Sequence, residues 1–188
     1  MTTLRAAAAL AIALALGALA PWAPSAHAQA VVSGSEEKIK AAYLYRLLNY
    51  VDYPAQAFET PASPYVIGVV DDDVVAAELA QLVANKPVNN REVVVRRIGP
   101  GAAAGTLHVM FVSRADHGRQ AYLLQQSAAA PVLTVTETGD GLDQGAVLNF
   151  RIVDGRVRFD ISLPAAERAG LRLSSRLLGL AYKVVKPD

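Results

Sequence analysis

The chain has 188 residues, with 18 basic and 17 acidic side chains, a net charge of +1, 53% hydrophobic residues and no cysteine. Structural disulfides, thiol catalysis and thiolate metal centres are thereby excluded. A near-neutral chain with no basic run argues against nucleic acid or an anionic bilayer as a main partner.

Residues 1–5 carry one positive charge, Arg5, and residues 6–20 are apolar throughout apart from Gly17. The run is followed by Ala26-His27-Ala28, a small-x-small cleavage pattern. About 15 apolar residues fall short of the ~20 that a membrane span needs. The expectation is an export signal over residues 1–28, removed after Ala28, with no direct membrane insertion of what remains. Cleavage takes 28 of the 188 residues and leaves 160, enough for one domain with its own core. Arg5 leaves with the signal, so 17 basic residues then balance 17 acidic ones.

Residues 29–35 are small and polar and read as a flexible leader, with the domain proper over 36–188. Ser35 is placed to cap a helix over 36–50, with Glu36 and Glu37 favourable at its positive end. At about 100° per residue, Ile39, Tyr43, Leu44, Leu47, Leu48, Tyr50 and Val51 share one half of that helix and are expected in the core. Tyr45, Arg46, Asn49 and Asp52 fall on the other half, with Tyr53 near them. Exposed tyrosine beside arginine and asparagine is a mix enriched at binding surfaces, and a tyrosine resting on the rim of the core fits equally well.

Pro54, Pro61 and Pro64 keep the next stretch out of helix. "YVIGVV" (65–70) is an unbroken apolar strand of the kind buried on both faces. Asp71, Asp72 and Asp73 follow it and open a helix over 74–84. Those carboxylates suit the capping of that helix better than a metal pocket. Strands are expected over 92–98, 107–112 and 131–136, with a flexible connector at 99–105 and a helix over 116–128. The connector "GPGAAAG" lacks the spacing of a phosphate loop and the lysine that goes with it. Residues 147–153 and 156–161 flank Asp154-Gly155, the dipeptide of a two-residue type I′ hairpin. A short helix over 164–169 ends at Gly170, and Ser174 or Ser175 caps a last helix through about residue 182.

Strands alternating with helices imply an α/β fold. The expectation is a three-layer αβα sandwich, its sheet mostly parallel with an antiparallel C-terminal hairpin at one edge. His108 within its strand reads as a hydrogen-bonded, partly buried imidazole, and His117 at a helix start as solvated. No HExxH grouping, serine elbow or nucleophile–base pair stands out, so no catalytic residue, cofactor or metal site is expected. Arg172 and Arg176 flank the last serine cap on the side away from Leu177 and Leu178. They form either a solvated face or a basic, leucine-rimmed interaction patch.

"KAAYLYRLLNYVDYP" near the start, "VIGVVDDD", "HVMFVS" and the closing "RVRFDISLPAAERAGLRLSSRLLGLA" together resemble the YfiR-like proteins in sequence and in order. The resemblance implies a non-enzymatic periplasmic repressor that binds the periplasmic sensor region of a membrane-bound diguanylate cyclase. Repression lowers cyclic-di-GMP output and biofilm formation. Helical phase and residue type single out Tyr45, Arg46, Asn49, Arg172 and Arg176 as partner-binding residues, all within motifs that carry the resemblance, and a homodimer through the terminal helices is compatible with it. The chain departs from the family pattern at Tyr53, where a tryptophan is usual, at Gln144-Gly145 and at Ser162. Lacking cysteine, it has no thiol for redox control. The alternative is a periplasmic small-molecule-binding protein using a crevice near Asp71, Asp72 and Ser113.

Overall fold

The computed structural model describes residues 26–99 and 106–187. The export segment through residue 25, and residues 100–105 of the connector, lie outside the described residues.

Helix α1 runs Ala26–Leu47, so Ser35 lies inside it rather than at its cap, and the stretch expected as a leader has helical backbone. The helix ends in a turn closed by Asn49 N–H to the Arg46 carbonyl and Tyr50 N–H to the Leu47 carbonyl, both 3.0 Å. Strand β1 is Val51–Asp52. Next come β2 (Tyr65–Val70), α2 (Asp73–Val83), β3 (Val93–Ile98), β4 (Val109–Val112), α3 (His117–Ser127) and β5 (Leu133–Thr136). The chain closes with β6 (Leu148–Val153), β7 (Arg156–Ser162), α4 (Leu163–Arg168), β8 (Arg172–Leu173), α5 (Ser175–Leu180) and β9 (Lys183–Val185).

Local chemistry fixes the boundaries. Asp72 accepts the Val75 N–H at 2.9 Å and caps α2, the role expected of it. Ser162 caps α4 through the Ala165 N–H, and Ser174, not Ser175, caps α5 through the Leu177 N–H, each at 3.3 Å. The β6–β7 turn has Asp154 at φ 50° and Gly155 at φ 69°, the paired positive values of a type I′ turn.

Seven strands form the main sheet in the order β3-β2-β4-β5-β6-β7-β9. From β3 to β6 all pairs are parallel, β6 and β7 are antiparallel, and β9 runs parallel to β7. The expected layered α/β sheet is present, with one refinement: β9 adds outside the hairpin, which therefore sits one strand in from the edge. Alternation along the strands divides the core. Ile67, Val69, Val109 and Phe111 pack with α1 and α2, whereas Val66, Val70, Met110 and Val112 pack with Leu123 of α3 on the other face.

Along α1 the buried stripe is Lys40, Ala41, Leu44, Leu47 and Leu48, continuing into Val51. Tyr43 and Tyr50 are half-buried against the core as expected, and Tyr43 meets the rings of Phe150 and Phe159. Ile39, expected inside, is 41% exposed, because the stripe passes through Lys40 instead.

On the α3 face a buried polar layer ties the sheet to the 137–146 loop. Gln120 donates to Thr138 Oγ1 at 2.7 Å, and Thr136 donates to Asn149 Oδ1 at 2.7 Å. A Cβ at Gly141 would lie 2.1 Å from Thr136 Oγ1 and 2.6 Å from Asn149 Oδ1, so only glycine fits. Gly141→Ala is expected to cost about 2 kcal/mol, read as a lower urea midpoint with an unchanged slope.

Candidate functional site

Strand order fixes where a ligand crevice can form. The chain leaves β2 for β3 on one side, then crosses to β4 on the other, so the switch point lies between the carboxyl ends of β2 and β4. Asp71 and Asp72 follow β2, Ser113 and Arg114 follow β4, and Glu137 follows β5. The first described turns of α1 side chains bring Glu36, Glu37 and Lys40 over them. Together these residues line a cleft of about 340 Å³. Asp71, Asp72 and Ser113, expected to share a crevice, do share it.

The cleft is crossed by ion pairs. Lys40, 4% exposed, places its ammonium 2.6 Å from Glu36 and 2.5 Å from Glu137, whose side chain is also 4% exposed. Glu137 accepts the Arg114 N–H at 2.9 Å and lies 3.4 Å from its guanidinium. Burial alone would depress Lys40, but its hydrogen bonds and charge contacts with Glu137 and Glu36 outweigh it and hold the ammonium above its ordinary range. Burial would likewise raise Glu137; the hydrogen bonds from Lys40 and the Arg114 N–H, with their charges, bring its carboxyl below the usual range instead. Asp71 has φ 49° and receives Arg119 at 3.2 Å, and Ser113 Oγ donates to the Asp71 carbonyl at 3.0 Å. The arrangement clamps α1 onto the strand ends, and Ser113, Asp72 and Glu137 are engaged in structural hydrogen bonds, whereas the buried Oε2 of Glu37 accepts none among the described residues. Among the described residues no His, Asp and Glu grouping is arranged to hold a metal ion.

A second cluster lies at the other ends of β2 and β4. Tyr53, expected near the outward side, is turned in: it donates to the His108 carbonyl at 3.0 Å and packs against Phe58, Tyr65 and the His108 ring. The reason is a change of period. The helix stops at Leu47, and in extended β1 Val51 faces in, Asp52 out and Tyr53 in again. Burial pushes the Tyr53 phenol far up.

His108 is 2% exposed, and its Nδ1 accepts the Val66 N–H at 3.1 Å, which leaves the proton of the neutral ring on Nε2. Burial holds it below its ordinary pKa; the Ala57 carbonyl acts against that, and Arg91 reinforces it. The unfolded imidazole, titrating at about 6.5, binds a proton that the folded one refuses. Stability should therefore decline as pH falls below about 6.5. His108→Gln should flatten that part of a plot of Tm against pH, and an unchanged slope would assign it to another group. His117 is exposed, as expected, and lies 3.2 Å from Asp140.

The third feature is a surface where the chain termini meet. β1 pairs antiparallel with β8, Val51 opposite Leu173 and Asp52 opposite Arg172, and the Ser174 N–H donates to the Tyr50 carbonyl at 2.9 Å. Arg46, Asn49, Arg172 and Arg176 are all exposed. The pairing sets Arg172 opposite Asp52 and brings Ser174 to Tyr50, so the end of α1 and its closing turn, which carry Arg46 and Asn49, adjoin β8 and the start of α5, which carry Arg172 and Arg176. Tyr45 takes the second of its two expected positions, at the rim of the core. It is half-buried against the core, its hydroxyl 3.5 Å from the Lys86 carbonyl, because α2 and the turn after it cover that side of α1.

The two paired segments are the first and last of the sequence motifs, and residues 37–182 match the YfiR/HmsC-like family. The chain belongs to that family. No match among curated proteins is found. YfiR-like members are regulators rather than enzymes, periplasmic, and associated with diguanylate cyclases. Among the described residues no helix is long and apolar enough to cross a membrane. The matched segment includes β1, β8 and α5 and stops at Tyr182, one residue before β9.

Proposed function

We propose that this YfiR-like protein is a non-enzymatic regulator, exported to the periplasm with loss of residues 1–28, which binds and represses the periplasmic sensor region of a membrane-bound diguanylate cyclase. Repression lowers cyclic-di-GMP output and biofilm formation. The family match over residues 37–182 carries the reading. The exposure of Arg46, Asn49, Arg172 and Arg176 around the paired β1 and β8 supports a contact through them, and half-buried Tyr45, next to Arg46 in α1, completes the proposed set. With no cysteine in the chain, release from the cyclase is triggered by something other than a thiol. Co-expression with such a cyclase should lower cellular cyclic-di-GMP, and the protein should co-purify with the isolated periplasmic loop. Absence of both effects overturns the proposal.

A second reading, a small-molecule-binding protein, is favoured by one observation: Asp71, Asp72 and Ser113 line a cleft of about 340 Å³ at the switch point. A thermal-shift screen with nucleotides, amino acids and divalent ions separates the two, since a ligand selective for the native state raises Tm.

A further inference from the structure

Charge is segregated along this chain. Residues 144–187 hold eight basic and three acidic side chains, while residues 36–143 hold nine basic and thirteen acidic ones. The fold gathers part of the basic excess on one surface. In β7, Val157, Phe159 and Ile161 face the core, so the alternate residues Arg156 and Arg158 face solvent. Register sets Arg151 of β6 directly opposite Arg158, and Lys183 of β9 opposite Asp160. Four cations thus share one sheet face around a single carboxylate.

That carboxylate is already committed. Asp160 Oδ2 receives Arg151 at 2.9 Å, Oδ1 has no hydrogen-bond partner, and the side chain is 10% exposed. Among the described residues, Arg156, Arg158 and Lys183 have no carboxylate partner. Like charges directly opposite each other across a strand pair are unfavourable; Asp160 offsets Arg151 and leaves Arg158 opposite it without a carboxylate of its own among the described residues. Arg151 also lies over the ring of Tyr182, 4.8 Å from its centroid, and Tyr182 is 57% exposed. Arginine beside an accessible tyrosine is the composition enriched in interface cores.

We infer that this face of β6, β7 and β9 is a docking surface for an acidic polypeptide segment. Three of its four cations are arginines, whose planar forks bind carboxylates in pairs and in fixed directions. The sheet face presents them at cross-strand spacing, suited to successive acidic side chains of an extended segment. An anionic bilayer would attract lysine as readily as arginine, and that occupant is one outcome of the test. The surface is separate from the β1–β8 strip, and it reaches into β9, beyond the residues that match the family.

The test is fluorescence anisotropy of a labelled twelve-residue peptide of alternating glutamate and glycine, titrated with the purified protein at low and at physiological salt. Binding should weaken as salt rises. R156E/R158E should reduce affinity about tenfold or more, R156Q/R158Q should fall between, and K86E, at an exposed lysine on another face, should change it less than about twofold. Circular dichroism melts of each variant show that the fold is retained. Equal loss with K86E, no loss with R156E/R158E, or preference for vesicles containing phosphatidylglycerol over the peptide would each overturn the inference. None of these outcomes bears on repression, which is read through cyclic-di-GMP and the β1–β8 strip.

Discussion

Replacing Lys40 by methionine is expected to destabilise the protein by about 3 kcal/mol, because removing one partner of a buried ion pair leaves the other charge uncompensated. For a domain of this size that is a fall in Tm of roughly 6–12 °C. Methionine fills the channel of the lysine stem but supplies nothing to Glu137, whose side chain is 4% exposed, or to Glu36. Arg114, at 3.4 Å from Glu137, offsets part of the loss and places the effect at the lower end of the range for such pairs. A cost below about 1 kcal/mol would mean that the pair behaves as a solvated surface bridge.

Two further measurements separate charge from packing at this clamp. Glu137 has a depressed pKa, so its contribution is fully present above the unfolded carboxylate value of about 4.3 and is lost as pH falls through the folded value. Lys40 has a raised pKa, so its contribution is present below about 10.4 and is lost as pH rises through the folded value. In Lys40→Met the orphaned Glu137 is most costly while ionised, so the gap from the parent protein should narrow toward pH 4. Adding Glu137→Gln to Lys40→Met should recover part of the stability, since the pair removed together costs less than either half.

The clamp also shows what was legible in the sequence and what was not. "YVIGVV" gave its strand to the residue, since six apolar residues bounded by proline and three aspartates leave little choice. Asp72 and Asp154-Gly155 are legible because caps and type I′ turns depend on local chemistry alone, whereas Ser174 and Ser175 are adjacent equal candidates for the α5 cap until the backbone chooses between them. Lys40 is harder to place. It lies four residues before Leu44 and eight before Leu48, on the stripe that buries, and only its charge argued against placing it there. Its partner Glu137 is nearly a hundred residues away, and no local pattern links them. Tyr53 faces outward only if helical phase continues past Leu47, and there the backbone becomes extended and the period drops to two. Strands β1, β8 and β9 are two, two and three residues long, too short for any period to register. They exist because distant backbone groups supply their hydrogen bonds. Their pairing also creates the proposed partner surface, so the residues of that surface could be named from sequence while the reason they lie together could not.

That pairing is what makes Arg172→Glu combined with Arg176→Glu the decisive variant for repression. Both side chains are exposed, and neither makes an ion pair among the described residues. β8 is held to β1 through backbone, and α5 is capped by Ser174, so neither element depends on the substituted groups. Arg172→Glu sets a carboxylate opposite Asp52, so the pair of changes should cost about 1 kcal/mol of folding stability, too little to unfold the domain. If the strip meets the cyclase, two reversed charges near the centre of the contact should cost at least about 2 kcal/mol, roughly thirtyfold in Kd. Cyclic-di-GMP in co-expressing cells should then return to the level seen without the regulator. Asp52 supplies an internal check, because it lies opposite Arg172 across the two strands. Asp52→Arg alone adds positive charge to the same strip, so it should leave repression intact or strengthen it when the partner surface is acidic. Loss of repression in both variants would instead assign the effect to disturbance of the β1–β8 pairing, and retention in both would move the contact elsewhere on the molecule.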